Sequence, residues 1–262
     1  MSDAEDLGPG TSAKNPAFGT VELLSAVAGS QRVLDAGCGT GRATVQLAKA
    51  GATVTGLDSD GDRLEEARQR AADMGVELRL VDADLNARLP FDGASFDAVT
   101  SRLALMAVAD AVATLRELRR VLAPGGRVAT LLWATLAENP WFAAPREAIA
   151  TVLDGSRGEF ARAFGRLGDP DEAASVHREA GLVDVEASVI RGQVEAADAA
   201  GHWDRLVKEN GHFRRVNAGM SNAERDAVMA ELANRIARYQ DEGRLCLPRA
   251  LVLVTARRAS TC

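Results

Sequence analysis

The fold of this chain is decided by one stretch of sequence, Val33-Leu34-Asp35-Ala36-Gly37-Cys38-Gly39-Thr40-Gly41-Arg42. An apolar pair leads into an acidic residue, glycine then occupies every second position as far as Gly41, and a helix-like segment follows. This order predicts a buried strand that ends in a turn too tight for side chains. Such a turn brings backbone N–H groups, and the positive end of the next helix, close to a ligand.

The glycine spacing separates this turn from the dinucleotide-binding fingerprint G-x-G-x-x-G. The third glycine, Gly41, comes one position early, and Arg42 stands where the fingerprint has glycine. Asp35, just ahead of the glycines, is a poor neighbour for a pyrophosphate. It suits a ligand that carries positive charge.

Strand-like and helix-like patterns alternate regularly after this turn. Apolar runs predict strands at residues 52–57, 76–80, 96–101 and 127–133, with helical apolar spacing between them. This alternation implies a parallel sheet covered on both faces, with a ligand beyond the carboxyl ends of the strands. Beyond Trp133 the sequence predicts a helix from Asp169 to Gly181, helices within 193–243, one of them at 224–240, and strands at 183–190 and 250–256.

The glycine turn resembles motif I of the class I S-adenosylmethionine-dependent methyltransferases, an acidic residue followed by G-x-G-x-G. Two later segments resemble signatures of the ubiquinone/menaquinone-biosynthesis branch, methyltransferase type 11. They are LPFDGASFDAV at 89–99, against L-P-F…S-F-D-x-V, and RELRRVLAPGG at 116–126, against E-x-x-R-V-L-x-P-G-G. The resemblance is confined to residues 33–133, where the segments occur in the family's order.

The resemblance implies an α/β, Rossmann-like fold. Its seven-stranded, mostly parallel sheet would have helices on both faces, a reversed last strand and a helical lid. Residues 1–16, which are polar and rich in Gly, Pro and Ser, would form a flexible arm before a single domain at 17–262. The cofactor half of that domain would span about 30–134, and lid segments would span about 136–168 and 193–243.

The implied cofactor is S-adenosyl-L-methionine, with S-adenosyl-L-homocysteine as product. Asp58 ends the second strand, where a carboxylate can accept both hydroxyls of a ribose; a helix-start charge is the alternative role, for which Asp60 is the better candidate. At the family's adenine contact, Asp84-Leu85 matches better than Asp82-Ala83. The predicted cofactor residues are Asp35, Gly37, Cys38, Gly39, Gly41, Asp58, Ser59, Asp84, Leu85 and Arg102.

Candidates for the substrate side are few, because the chain has three histidines and one tyrosine. His202 and His212 are the residues to test as a general base, with surface or packing roles as the alternative; His177 is predicted to be structural. A base matters for a hydroxyl or carbon acceptor and less for an amine. The predicted substrate pocket consists of Phe18, Trp133, Trp141, Phe142 and Trp203, for which core packing, or for Phe18 a frayed terminus, is the alternative.

Composition excludes several classes of partner. The net charge of -6 argues against a polyanion, and the family's amino-methylating DNA enzymes carry a proline-rich tetrapeptide that is absent after the fourth strand here. Three widely spaced cysteines without C-x-x-C predict neither a disulfide framework nor a metal site. We expect a cytoplasmic protein without a membrane or nucleic-acid partner. Monomer and homodimer remain open.

The function predicted from these observations is methyl transfer to a small, partly apolar metabolite through an O-, C- or N-acceptor. An Ala/Arg/Gly-rich composition favours specialised-metabolite tailoring over quinone biosynthesis. Two rivals stay open. One is a cofactor-binding relative that catalyses another step, such as a cyclisation; the other is a nicotinamide-dependent oxidoreductase, which the glycine spacing and Asp35 disfavour.

Overall fold

The computed structural model describes residues 18–153 and 164–260. Its strands are β1 (Arg32–Ala36), β2 (Thr53–Asp58), β3 (Arg79–Asp82), β4 (Phe96–Arg102), β5 (Leu122–Trp133), β6 (Val183–Ala196), β7 (Gln240–Asp241) and β8 (Arg244–Arg257). Its α-helices are α1 (Thr20–Ala26), α2 (Arg42–Lys49), α3 (Gly61–Asp73), α4 (Ala111–Val121), α5 (Pro140–Val152), α6 (Pro170–Glu179), α7 (Ala199–Glu209), α8 (Gly211–Gly219) and α9 (Asn222–Ile236).

Within these residues the strands form one sheet in the order β3-β2-β1-β4-β5-β8-β6, and the two-residue β7 pairs with the start of β8. The strands from β3 to β5 are parallel to their neighbours, whereas β8 is antiparallel to both β5 and β6. This topology confirms the predicted Rossmann-like sheet with a reversed last strand. The additional strand β7 arises from a tight turn at Glu242-Gly243, whose φ angles of 46° and 77° reverse the chain into β8.

Helices cover both faces of this sheet. Thr130 on β5 contacts His177 of α6, while the next residue, Leu131, points to the opposite face and meets Gly19 before α1. Alternation along a strand therefore packs β5 between two helical layers. The core is built mainly from Leu, Val and Ala and continues from both layers into α5, α7 and α9.

The later strands are longer than their apolar runs. Strand β6 continues to Ala196 and β8 begins at Arg244, so the two pair far beyond the predicted 183–190 and 250–256. The cause is that β6 is an edge strand whose residues are mostly exposed or half-buried, and polar side chains there hide the strand pattern. The helical segment consequently starts at α7 rather than at residue 193. Helix α9 ends at Ile236, short of the predicted 240.

Two predicted regions fall wholly or partly outside the described residues. The arm at 1–16 is one, and residues 154–163 of the segment 136–168 are the other. In the described part of the chain, no helix combines the length and apolarity that a bilayer crossing requires.

Candidate cofactor and substrate site

The glycine turn leaves the carboxyl end of β1 and folds against the end of β2. The N–H groups of Gly37 and Cys38 both donate to the Leu57 carbonyl, at 2.8 and 2.9 Å. Gly37 has a φ of 73°, and a Cβ on it would lie 2.2 Å from the Cβ of Ala104. Glycine is therefore required at this position for two reasons: the backbone is left-handed, and the loop that follows β4 comes close to it.

Asp35 lies beneath this turn and is only 1% exposed. Its Oδ2 accepts a hydrogen bond from Thr44 Oγ1 at 2.6 Å, and its Oδ1 accepts one from Thr100 Oγ1 at 2.9 Å. Burial raises the pKa of this carboxyl, and the two threonine hydrogen bonds and the charge of Arg102 act against that rise. Both oxygens are thus occupied by the protein, and contact of Asp35 with a cationic ligand stays a prediction.

Asp58, at the end of β2, is held at the rim of the turn. Its Oδ2 accepts from the Gly39 N–H at 2.9 Å and its Oδ1 from the Asp60 N–H at 3.0 Å. Asp60 caps α3 by accepting from the N–H groups of Asp62 and Arg63. The helix-start role therefore belongs to Asp60, and Asp58 is left to face the cleft.

An open cleft lies beyond the ends of β1, β2 and β3. Half of the predicted cofactor residues line it, namely Gly37, Asp58, Ser59, Asp84 and Leu85. Asp82 does not line it, so the structure favours Asp84-Leu85 over Asp82-Ala83, although Ala83 is also at the wall. Asp84 is oriented by accepting from the backbone and side-chain nitrogens of Asn86, both at 2.8 Å.

The other predicted cofactor residues stand behind this wall. Cys38 is buried, with Sγ 3.7 Å from the Gly39 carbonyl, and a Cβ on Gly56 would approach that sulfur to 3.0 Å. Cys38 therefore fills space between the turn and β2, and its contact with the cofactor stays a prediction. The Gly39 N–H donates to Asp58, and Gly41 packs against Ala67 of α3. The charge of Arg102 acts on Asp35.

Sequence reasoning missed the rest of the wall, which comprises Arg63, Asn86, Leu103, Ala104, Ala107 and Val108. Leu103 has a φ of 63°, a strained angle for a branched side chain, while its N–H donates to the Leu131 carbonyl. Such strain concentrates at functional sites. No residue type in the sequence signals it.

The predicted aromatic residues come together as a buried cluster. Trp133, Trp141, Phe142 and Trp203 are each at most 3% exposed. Phe142 stacks on Phe164 with centroids 4.2 Å apart, and Trp133 stacks on the same ring at 5.4 Å. The structure favours the core-packing alternative for this cluster, and its contact with a substrate stays a prediction. Phe18 packs separately, against Gly192 of β6.

Neither predicted base lines the cleft as the described residues define it. His202, on α7, is fully buried; its Nε2 lies 2.7 Å from the Trp141 carbonyl, and its buried Nδ1 has no partner in the described structure. Burial lowers the pKa of His202 to about 4. His212 is half-buried beside Phe213 on α8. His177 is structural, as predicted, since its two ring nitrogens meet Thr130 and the Ala173 carbonyl.

Comparison with known proteins agrees with this geometry. Residues 33–126 match the family model described as a methyltransferase domain. A demethylmenaquinone methyltransferase of Beutenbergia cavernae is 41% identical over 130 residues, which are 50% of each chain. The uncharacterised protein Rv1403c of Mycobacterium tuberculosis is 39% identical over 109 residues, which are 42% of this chain and 39% of that protein. The chain thus spans half or less of the length of these curated relatives.

Solved structures share the fold at low identity. The YcgJ protein of Bacillus subtilis superposes with a TM-score of 0.62 at 17% identity, covering 94% of this chain and all of that one. Phosphoethanolamine N-methyltransferase 2 of Haemonchus contortus, solved with S-adenosyl-L-methionine, gives 0.58 at 17% identity, covering 97% of this chain and 54% of that one. The family match shows a methyltransferase domain at residues 33–126, and the sheet order, the glycine turn and the solved structures show that it has the fold of the class I S-adenosylmethionine-dependent methyltransferases.

Proposed function

We propose that this chain transfers a methyl group from S-adenosyl-L-methionine to a small, partly apolar metabolite. The observation that carries the proposal is the convergence of Gly37, Asp58 and Asp84-Leu85 on one cleft at the carboxyl ends of β1, β2 and β3. A glycine turn without side chains admits a ligand to the backbone. The carboxylates suit hydroxyl and amino donors, and the wall carries a net negative charge.

The residues present fit the cofactor. A carboxylate offers about four lone-pair positions, and two at Asp58 are used by backbone N–H groups. The remaining positions can accept two ribose hydroxyls. Asp84 and the buried Leu85 offer an acceptor and an apolar contact for an adenine.

The mechanism that we propose relies on alignment. The bound cofactor supplies a methyl group that is already activated for in-line displacement. The protein then has to position the acceptor and exclude water. In this proposal the acceptor packs against the buried aromatic layer of Trp133 and Trp141, which would keep water from the β5 side of the site.

His202 remains the base that we propose for a hydroxyl acceptor. Its lowered pKa keeps the ring neutral at pH 7, and donation from Nε2 to the Trp141 carbonyl leaves the lone pair on Nδ1. An acceptor that reaches Nδ1 would lose its proton there. His202→Ala should then lower turnover more than cofactor affinity, and normal turnover in both His202→Ala and His212→Ala would indicate transfer without a base.

Two measurements test the proposal. S-adenosyl-L-homocysteine should raise the melting temperature and NADPH should not, because only a ligand of the native state stabilises it. Labelled S-adenosyl-L-methionine incubated with a metabolite extract should then yield a labelled small molecule. A response to NADPH alone would support the oxidoreductase instead, while binding without transfer would support a relative that catalyses another step.

A quinone precursor is the second candidate acceptor. The identity to a demethylmenaquinone methyltransferase favours it, whereas specialised-metabolite tailoring is supported by composition only. Demethylmenaquinone offered with labelled cofactor separates the two. Efficient labelling supports quinone biosynthesis, and labelling of other extract components without it supports tailoring.

A further inference from the structure

Arg249 is a buried arginine near the start of β8. It is 7% exposed, and its Nε is buried without a hydrogen-bond partner in the described structure. Across the described ranges 18–153 and 164–260, no carboxylate forms an ion pair with its guanidinium. An arginine stays charged at neutral pH, so the fold buries a cation without a counter-ion there.

The charges that act on Arg249 make its position less favourable. Burial lowers the pKa of its guanidinium, and the positive charges of Arg205 and Arg102 lower it further. Isolated buried charges are costly, and natural proteins pair them or use them. The surroundings of Arg249 therefore favour a negative group that the described chain does not supply.

The Arg249 guanidinium nevertheless has a defined packing partner. It lies over the ring of Phe18, 4.0 Å from the centroid. Gly192 pairs with Arg249 across β6 and β8, and a Cβ on Gly192 would lie 2.6 Å from Phe18 Cε2. The absence of a side chain at Gly192 makes room for the ring. A guanidinium beside a ring keeps N–H donors for hydrogen bonds, and its planar fork suits a carboxylate or phosphate.

Strand register places Arg249 on the same sheet face as Asp35 and Arg102. Asp35 is paired with Thr100, Arg102 with Leu131, and Leu131 with Leu253, and every second residue shares a face. At this edge the carboxylates Asp35 and Asp58 lie on β1 and β2, while the cations Arg102 and Arg249 lie on β4 and β8. The edge is thus acidic on the cofactor side and basic on the other.

A second buried donor lies on that basic side. Trp133 faces Leu251 across β5 and β8, so its Cα lies about 7–8 Å diagonally from that of Arg249. Its Nε1–H is buried and has no acceptor in the described structure. Two orphaned N–H donors on one face point to a ligand that carries acceptors.

We propose that Arg249 binds an oxyanion, a carboxylate or phosphate group, on the methyl acceptor. This inference rests on the proposed function, which it extends by naming the substrate class as anionic metabolites with an apolar body. The cofactor is less suited to supply this anion, because the carboxylates proposed to hold it, Asp58 and Asp84, are at the ends of β2 and β3. Strands β1, β4 and β5 separate β2 from β8.

The first test uses benzoate and phenyl phosphate as anionic probes and benzamide as the neutral control, at matched ionic strength. Melting temperatures are measured with and without S-adenosyl-L-homocysteine. At least one anionic probe should raise the melting temperature of the wild-type protein while benzamide does not. The shift should disappear in Arg249→Gln and Arg249→Met and persist in Arg244→Gln, a control on the same strand whose side chain is 69% exposed.

The second readout separates binding from a structural role. If Arg249 is an anion site, its charge has no counter-ion in the ligand-free protein. Arg249→Met then removes an uncompensated buried charge and should raise the melting temperature of the ligand-free protein by about 2–4 °C. A lower melting temperature in both Arg249 variants would show a structural arginine and overturn the proposal. An equal response to benzoate in wild type and Arg249→Gln would overturn it as well.

Calorimetry with S-adenosyl-L-homocysteine keeps the two hypotheses apart. Arg249→Gln should bind this nucleoside within threefold of wild type; a tenfold loss would assign Arg249 to the cofactor and overturn the inference. Absence of nucleoside binding in the wild-type protein would overturn the proposed function, while the anion probes still decide the role of Arg249. In the labelling screen, label should appear in the fraction that an anion exchanger retains, and label confined to neutral products would contradict the inference.

Discussion

Asp58 has two tasks at the residue scale, since it fixes the glycine turn through Gly39 and faces the cleft. We predict that Asp58→Ala weakens binding of S-adenosyl-L-homocysteine by about 10–100-fold, the scale of losing charged hydrogen bonds. Isothermal calorimetry measures this change. Asp169→Ala is the matched control, because Asp169 also accepts two backbone hydrogen bonds but caps α6. It should lose stability and keep nucleoside affinity, and unchanged affinity in Asp58→Ala would refute the assignment.

Asp35 gives the pH prediction at this scale. Burial raises its pKa in the folded state above the ordinary 3.8, so between those two values the folded protein binds more protons than the unfolded chain. Stability from this group is therefore greatest at low pH and is lost as pH rises through the folded pKa. Asp35→Asn should be more stable than wild type at pH 7, with an advantage that shrinks as the pH falls. Urea unfolding across pH 4–8 measures the difference, and an advantage that grows toward acid would contradict the assigned cause.

The element that most limits substitution is the turn between β1 and α2. Gly37→Ala must place a Cβ 2.2 Å from Ala104 in a left-handed backbone, whereas Gly51, at a φ of 94°, has open space around it. Gly51→Ala should therefore cost about 1–2 kcal/mol of unfolding free energy from backbone strain alone. Gly37→Ala should cost more and lose nucleoside binding by at least tenfold, because the loop after β4 must move. Equal effects of the two substitutions in denaturant melts and calorimetry would show that the packing against Ala104 is unimportant.

At the scale of the whole molecule, two buried histidines couple folding to acid. Burial lowers the pKa values of His177 and His202 to about 4, from an ordinary 6.5. Their neutral forms are therefore favoured in the fold, and stability present above pH 6.5 is lost as pH falls toward 4, by about 1.4 kcal/mol per unit for each histidine. Asp35 acts in the opposite direction, because burial raises its pKa.

We predict that His177→Gln and His202→Gln each make the acid limb of stability shallower, and that the double variant does so more than either. Urea midpoints at pH 4.5, 5.5, 6.5 and 7.5 give the slopes. His177→Gln should also lower stability at pH 7.5, because Thr130 and the Ala173 carbonyl lose the imidazole that joins them. Unaltered slopes in the double variant would place the acid sensitivity elsewhere.

The sequence by itself determined the alternating fold, the glycine turn and the cleft acids Asp58 and Asp84, because these depend on local spacing: a strand, a turn and a carboxylate follow one another within a few residues. It also favoured Asp60 over Asp58 as the charge at the start of α3, but it did not identify Asp60 as the cap. The roles of His202 and of the aromatic residues could not be predicted from local spacing, because their burial depends on which distant elements pack together. Trp133, Trp141 and Phe164 come from three segments, and they form one cluster only when these segments have packed together in the folded protein.

The tertiary structure alone decided the basic side of the site. Arg249 is one of many arginines in the sequence, and nothing around it along the chain marks it as buried. Its position follows from long-range register: β8 lies between β5 and β6, Gly192 leaves a gap opposite it, and Phe18 fills that gap from the other end of the chain. Contacts across more than 50 residues carry no local periodicity, so the charge that we assign to substrate binding was visible only in the folded sheet.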